Sequence, residues 1–305
     1  MNYLVTGGAG FIGSNYVRML LSDQLGPVTS VKVLDKLTYA GSLANLKQIS
    51  DDPRLTFIEG DICDELMVNS CVEKGDTIVH FAAESHVDRS ITGPSEFIKT
   101  NILGTQVLLS MALEKGVNLF LHVSTDEVYG SVAEGSSSEA DVLLPNSPYS
   151  ASKAASDLLV RSYVQTYGLN AMITRSCNNY GPNQFPEKLI PLTVNNLKSG
   201  KSVKLYGDGK NEREWIHVED HCHGIQTVIK LGKSGEIYNI GSNEKFSNIQ
   251  IASLLMEYLG CEDLGIDFIN DRQGHDFRYS INSTKLQGLG FLSTRKFKDS
   301  LNELC

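Results

Sequence analysis

The stretch VTGGAGFIGS, residues 5–14, spaces glycines at 7, 10 and 13 between an apolar run and a helical pattern. The run YLVTG (3–7) reads as a strand, and the pattern over 11–22 reads as a helix. Glycines at such a junction allow a tight turn and let the backbone approach a pyrophosphate. The helix then offers that anion its first N–H groups and the positive end of its dipole. Asp35 ends the next strand candidate, VKVLD (31–35), ~20 residues beyond the last glycine. An acid there suits the hydroxyls of an adenosine ribose and repels a 2′-phosphate, so the stretch predicts NAD rather than NADP.

The alternation continues outward. LTFIEGD (55–61), TIVHFAA (77–83), LFLHVST (119–125) and AMITR (171–175) are short apolar runs separated by helical patterns. Continuous apolar strands alternating with helices predict an α/β fold, a doubly wound parallel sheet of Rossmann type. Past residue 178 the pattern turns irregular, with NNYGPNQFPEKLIP (178–191) reading as loop and then helix. The expected organisation is a dinucleotide-binding domain of 1–177 and 214–240, with a smaller C-terminal substrate-binding lobe of 178–213 and 241–305. AEGSSSEAD (133–141) reads as a mobile loop.

With 305 residues, 41% apolar and 21% charged, the chain resembles an ordinary globular protein with a full core. Its net charge of −9 argues against a global attraction to nucleic acid or anionic membrane, and leaves room for a local basic pocket. No apolar run approaches the ~20 residues that span a bilayer, and MNYLVTGGAGFIG lacks the basic region of a secretion signal. The six cysteines show no CxxC pair, so reduced thiols in a cytoplasm are expected.

Two further motifs carry chemistry. SPYSASKAASD (147–157) places Tyr149 and Lys153 on one helix face. A phenol with a pKa near ~10 is a poor base. A neighbouring ammonium and a positive nicotinamide ring lower it, so that it takes a proton from a sugar hydroxyl as hydride leaves the same carbon. YxxxK alone is common by chance, but Ser124 at a strand end completes the set. STDEVYG (124–130) then sets Asp126 and Glu127 side by side at the carboxyl end of a strand, where open α/β sheets bind ligands. Adjacent carboxylates suit a reaction needing one base and one acid on neighbouring carbons. The plainer alternative is that they cap the next turn.

Together these motifs resemble the extended short-chain dehydrogenase/reductase family that acts on nucleotide sugars, over essentially the whole chain. TDEVYG, SPYSASKAASD, NNYGPNQFPEKLIP, REWIHVEDHCHGI, YNIGSNEKFSN and DRQGHDFRYSI are similar to its 4,6-dehydratase branch. The resemblance implies a lyase that uses NAD to turn dTDP-glucose into dTDP-4-keto-6-deoxyglucose. C4 is oxidised, water leaves across C5 and C6, and the hydride returns to C6. It implies Tyr149 and Lys153 for the oxidation, Thr125 near C4 with Ser124 beside it, Glu127 as the C5 base and Asp126 as the C6 acid. Around the cofactor it implies Gly7, Gly10, Phe11, Ile12 and Gly13 as cradle, with Asp35, Lys36, Thr38 and Gly41 following. Asp61 and Ile62 come at the adenine, and Ala82, Ala83, Ser85 and Thr100 along the rest, with Tyr149 and Lys153 at the reacting end.

For the nucleotide sugar it implies Ser85, Thr125, Asn178, Lys188, Leu189, Lys204, Tyr206, Arg213, Asn248, Arg272 and His275. It also implies a homodimer joined by helices near 97–115 and 149–167, and no metal. His217, His221 and His223 resemble a metal cluster, but residues two apart on a helix do not share a face. UDP-glucose is the alternative substrate. A 4-epimerase would not need Asp126 and Glu127, and a non-catalytic NAD-binding regulator would be expected to lose Tyr149 or Lys153.

Overall fold

Seven parallel strands form the central layer of the chain, described for residues 1–305 by a computed structural model. In chain order the strands are β1 (Asn2–Thr6), β2 (Ser30–Asp35), β3 (Leu55–Glu59), β4 (Thr77–His80), β5 (Leu119–Thr125) and β6 (Ala171–Ser176). They continue as β7 (Asn178–Tyr180), β8 (Val203–Tyr206), β9 (Glu212–His217), β10 (Ile237–Ile240), β11 (Lys245–Ser247) and β12 (Ile266–Ile269). The large sheet runs β10–β6–β5–β4–β1–β2–β3. The order reverses between β1 and β4, and a crevice opens there beyond the strand ends.

Helices cover both faces of this sheet, so β4, β5 and β6 are buried along their whole length. That is why they read as continuous apolar runs rather than alternating ones. Successive residues still point to opposite faces. Tyr3, Val5, Leu121 and Val123 join one core, and Leu4, Phe120 and Ile173 the other. A third core of Tyr180, Leu205, Trp215, Ile251 and Phe297 lies under two small sheets, β11–β9–β7 and β12–β8. The helix Val218–Leu231 then packs on the helix Phe11–Leu21, and β10 rejoins the large sheet.

Local chemistry sets the two helices that matter most. Ser147 caps the helix Pro148–Tyr167 in a reciprocal box with Ser150, Pro148 sits in the first turn, and Gly168 closes the end at φ +70°. The helix Phe11–Leu21 starts from Gly10 with no side-chain cap. The segment 133–141 differs from its reading as mobile. Ser137 N–H donates to Ser280 O at 2.9 Å, and Glu139 Oε1 accepts from Asn239 N–H at 2.9 Å. The main chain of Ser137 and the side chain of Glu139 fasten it to distant backbone, which composition does not reveal.

Glycine is required at two points of the first turn. Gly7 has φ +69°, and a Cβ there would lie 2.6 Å from Ala82 N. A Cβ at Gly13 would run into the Gly7 carbonyl oxygen. Gly13→Ala is therefore expected to destabilise the fold by about 1–3 kcal/mol, the range for overpacking. A thermal melt checks this, and an unchanged Tm with unchanged NAD binding would show that the turn tolerates the methyl.

Candidate active site

The carboxyl ends of β1, β4, β5 and β6 open into one cavity of about 310 Å³. Every residue expected at the cofactor, from Gly7 to Lys153, lines it. The uncapped N–H groups of the helix Phe11–Leu21 sit at the glycine turn, whose close backbone contacts leave no room for a side chain at Gly7 or Gly13. This cradle fits a dinucleotide. Asp35 also holds the cradle itself: its Oδ2 accepts from Ala9 N–H and its Oδ1 from Leu37 N–H, both at 2.9 Å. Burial pushes its carboxyl up, and the two N–H groups pull it back. Lys36 and Asp61 pair with each other at 2.8 Å.

The two acids leave β5 in a single turn, Asp126–Tyr129. Thr125, not Asp126, caps that turn, its Oγ1 accepting from Glu127 N–H at 3.3 Å. Asp126 is 2% exposed. Its Oδ1 accepts from the Thr125 hydroxyl at 3.3 Å, and its Oδ2 is buried with no partner. Burial holds the Asp126 carboxyl well above the ordinary range, and the charges of Glu127 and Glu214 add to the rise. Glu127 is also raised by burial, but Arg272, Arg213 and Lys188 pull it down. Two neighbours of the same chemistry thus differ in how readily each keeps its proton.

Lys153 is fully buried on the helix Pro148–Tyr167. Its Nζ donates to Val123 O at 2.8 Å and lies 3.4 Å from His122 Nε2. Beneath it, His122 Nε2 is 3.5 Å from Asp157, whose Oδ2 accepts from Arg175 Nε at 2.8 Å. Burial lowers Lys153 to about 8, with Asp157 opposing the fall. Burial and the Glu127 charge push the Tyr149 phenol up, and the Thr125 hydroxyl only partly offsets this. The chain's own groups therefore do not lower Tyr149, because burial outweighs what the nearby polar groups return. Ser124 Oγ is buried and unpartnered.

Of the residues expected at the nucleotide sugar, Ser85, Thr125, Asn178 and Lys188 line the cavity. Lys188 Nζ reaches Ser85 O at 3.2 Å. Tyr206, Arg272 and His275 form a neighbouring group instead: Tyr206 Oη donates to Asp88 at 3.1 Å, Arg272 lies 3.5 Å from Asp88, and His275 is 2.6 Å from Asp271. Arg213 is buried, giving its N–H groups to the carbonyls of Glu212, Asp276 and Phe277 and stacking over Tyr279 at 4.3 Å. Lys204 is exposed on β8, while Leu189 and Asn248 begin helices outside the cavity wall.

Sequence reading gave no place in the cavity to Tyr39, Phe185, Glu187 and His221, which also line it. Phe185, Glu187 and His221 lie in quoted motif stretches and Tyr39 just beyond a strand candidate, but nothing in their spacing marks them for the cavity. His221 donates from Nδ1 to Asn179 Oδ1 at 2.7 Å, and burial holds its ring neutral, near 3. His217 packs edge-on against Tyr180. Cys177 is buried, and burial raises its thiol.

Residues 4–304 match the family model described as GDP-mannose 4,6 dehydratase. A dTDP-glucose 4,6-dehydratase of Streptomyces antibioticus is 53% identical, with 99% of this chain and 90% of that protein covered. The crystal structure of a dTDP-glucose 4,6-dehydratase from Streptomyces venezuelae, solved with NAD bound, superposes with a TM-score of 0.98 at 52% identity. That match covers 100% of this chain and 96% of the other. A UDP-glucose 4-epimerase from Thermotoga maritima has the same fold, with a TM-score of 0.90 at 29% identity, covering 100% and 97%.

Any rate that depends on the Lys153 ammonium is expected to fall as pH rises through about 8, where the lysine loses its proton. Lys153→Met should remove that limb and slow the reaction by roughly 10²-fold or more. A pH–rate profile of both forms checks this, and a limb that survives in the variant belongs to another group.

Proposed function

The chain belongs to the nucleotide-sugar 4,6-dehydratase family, among the dTDP-glucose 4,6-dehydratases, and is an NAD-dependent hydro-lyase; from this we propose how its own residues carry the reaction on dTDP-glucose. The observation that carries the reading is the unequal environment of the two acids. Asp126, raised furthest and with Oδ2 free of partners, keeps a proton to give to the departing C6 hydroxyl. Glu127, held down by three cations, is ionised and removes the C5 proton. Water leaves with the Asp126 proton, and the C5–C6 pair is ready for reduction.

Bound NAD supplies the hydride acceptor for C4, the donor for C6, and the positive ring charge that Tyr149 lacks from the chain. The residues that line the glycine turn and the ends of β2 and β4 would hold it. Tyr149 takes the C4 hydroxyl proton, Thr125 holds that oxygen, and Lys153 keeps a cation beneath them. Lys188 and Arg213 offer positive charge to a diphosphate, with Asn178 at the sugar or diphosphate, Tyr206 against the base, and Asn248, Arg272 and His275 completing the pocket. The division into 1–177 with 214–240 and 178–213 with 241–305 follows these two tasks.

The finer assignments rest on the surface. Ile98, Leu103 and Leu158 are exposed apolar side chains on the helices near 97–115 and 149–167. Such a face supports a homodimer. Six unpaired cysteines support a reducing compartment such as the cytoplasm.

Mass spectrometry of dTDP-glucose and UDP-glucose incubations is expected to show loss of one water from the first at the higher rate. Asp126→Asn should still exchange the C5 proton with deuterated solvent while dehydration slows by roughly 10²–10³-fold, and Glu127→Gln should lose the exchange as well. Equal exchange in the two variants would sink the division of roles. No dehydration of either sugar by the wild type would sink the substrate.

A further inference from the structure

Three segments far apart in sequence meet over the outer wall of the cavity, and side chains join them. Tyr39 comes from the loop after β2, Arg89 from the short helix Val87–Thr92 after β4, and Phe185 and Glu187 from the loop after β7. The Arg89 guanidinium lies 3.9 Å from the centre of the Tyr39 ring. Its Nη2 donates to Glu187 Oε2 at 2.8 Å. The Tyr39 ring also meets Phe185 edge-on, with centroids 5.5 Å apart. Tyr39, Phe185 and Glu187 line the cavity, while Arg89 does not and is 47% exposed. Arg89 therefore closes Tyr39 down from the solvent side. No main-chain hydrogen bond ties the three segments to one another.

We propose that Tyr39, Arg89, Phe185 and Glu187 form a clasp that keeps the dinucleotide in place through turnover. The inference rests on the NAD-dependent reading. A reaction that removes a hydride and returns it ends with the cofactor as it began, so release between turnovers serves nothing. The glycine turn supplies contacts at the strand ends. Tyr39, Phe185 and Glu187 add side chains from other loops to the same cavity, which Thr38, Gly41 and Ser85 also line. The clasp's bonds suit a latch. A cation over an aromatic ring and a half-exposed ion pair are individually weak, so the clasp opens for loading, yet all must part together for the dinucleotide to leave.

Wild type, R89A, R89K and Y39A are loaded with radiolabelled NAD, and loss of label is followed in excess unlabelled NAD. R89A and Y39A are expected to lose label at least ten-fold faster, with R89K between, because lysine lacks the planar face that stacks on Tyr39. Added salt should speed loss from the wild type and leave R89A unaffected, since only the former has the Arg89–Glu187 pair to screen. A thermal melt in saturating NAD guards against a misfolded variant, and R89A, altered at an exposed side chain, carries the test if Y39A does not fold. Equal rates of loss in wild type and R89A overturn the clasp. So does an R89A that retains NAD normally but needs more dTDP-glucose, which would move Arg89 to the substrate. A wild type first freed of any bound nucleotide that then takes up no label overturns the NAD-dependent reading as well, and so separates that failure from the clasp's.

Discussion

Two carboxylates in adjacent positions of a water-poor cavity cannot both ionise cheaply, and much of this site answers that constraint. Asp126 and Glu127 leave β5 in one turn, so their backbone geometry is shared and only their surroundings differ. Asp126 faces burial with Glu214 behind it. Glu127 faces Arg272, Arg213 and Lys188, all from the part of the chain beyond β6. The part of the chain beyond β6 therefore supplies the charges that pull Glu127 down while burial holds Asp126 up. The same charges suit a diphosphate.

A similar compensation operates under the Tyr149 helix. Lys153 sits without solvent, and its charge persists through the Val123 carbonyl and the nearby Asp157. Arg175 in turn balances Asp157. An isolated lysine at this depth would give up its proton. The row of buried polar groups from β5, β6 and the helix Pro148–Tyr167 thus supports the cavity, although only Lys153 lines it.

Much of this was legible beforehand, for reasons that can be named. The strands of the large sheet are buried on both faces and so announce themselves as apolar runs. The glycines at 7 and 13 are demanded by a positive φ and a close backbone contact, so a spacing of single residues records a three-dimensional need. Other features left no such mark. The segment 133–141 reads as mobile from its serines and acids, yet the Ser137 main chain and the Glu139 side chain bond to backbone a hundred or more residues away. Asp35 reads as a ribose ligand, and its additional task of clipping the glycine loop to β2 depends on where that loop folds. Tyr39 and Arg89 are separated by β3 and β4, and no pattern links them until their loops meet.

By itself, then, the amino-acid order determined the parallel sheet, the phosphate cradle and the identity of the groups available for proton transfer, since each follows from local periodicity or from residue types at short spacing. Tertiary structure alone decided how differently the two acids are surrounded, where the Lys153 charge finds its partners, and which side chains from distant loops meet beside the cavity. Those depend on burial and on charges brought together from distant segments, and electrostatic energy is set by distance and solvent access rather than by position along the chain.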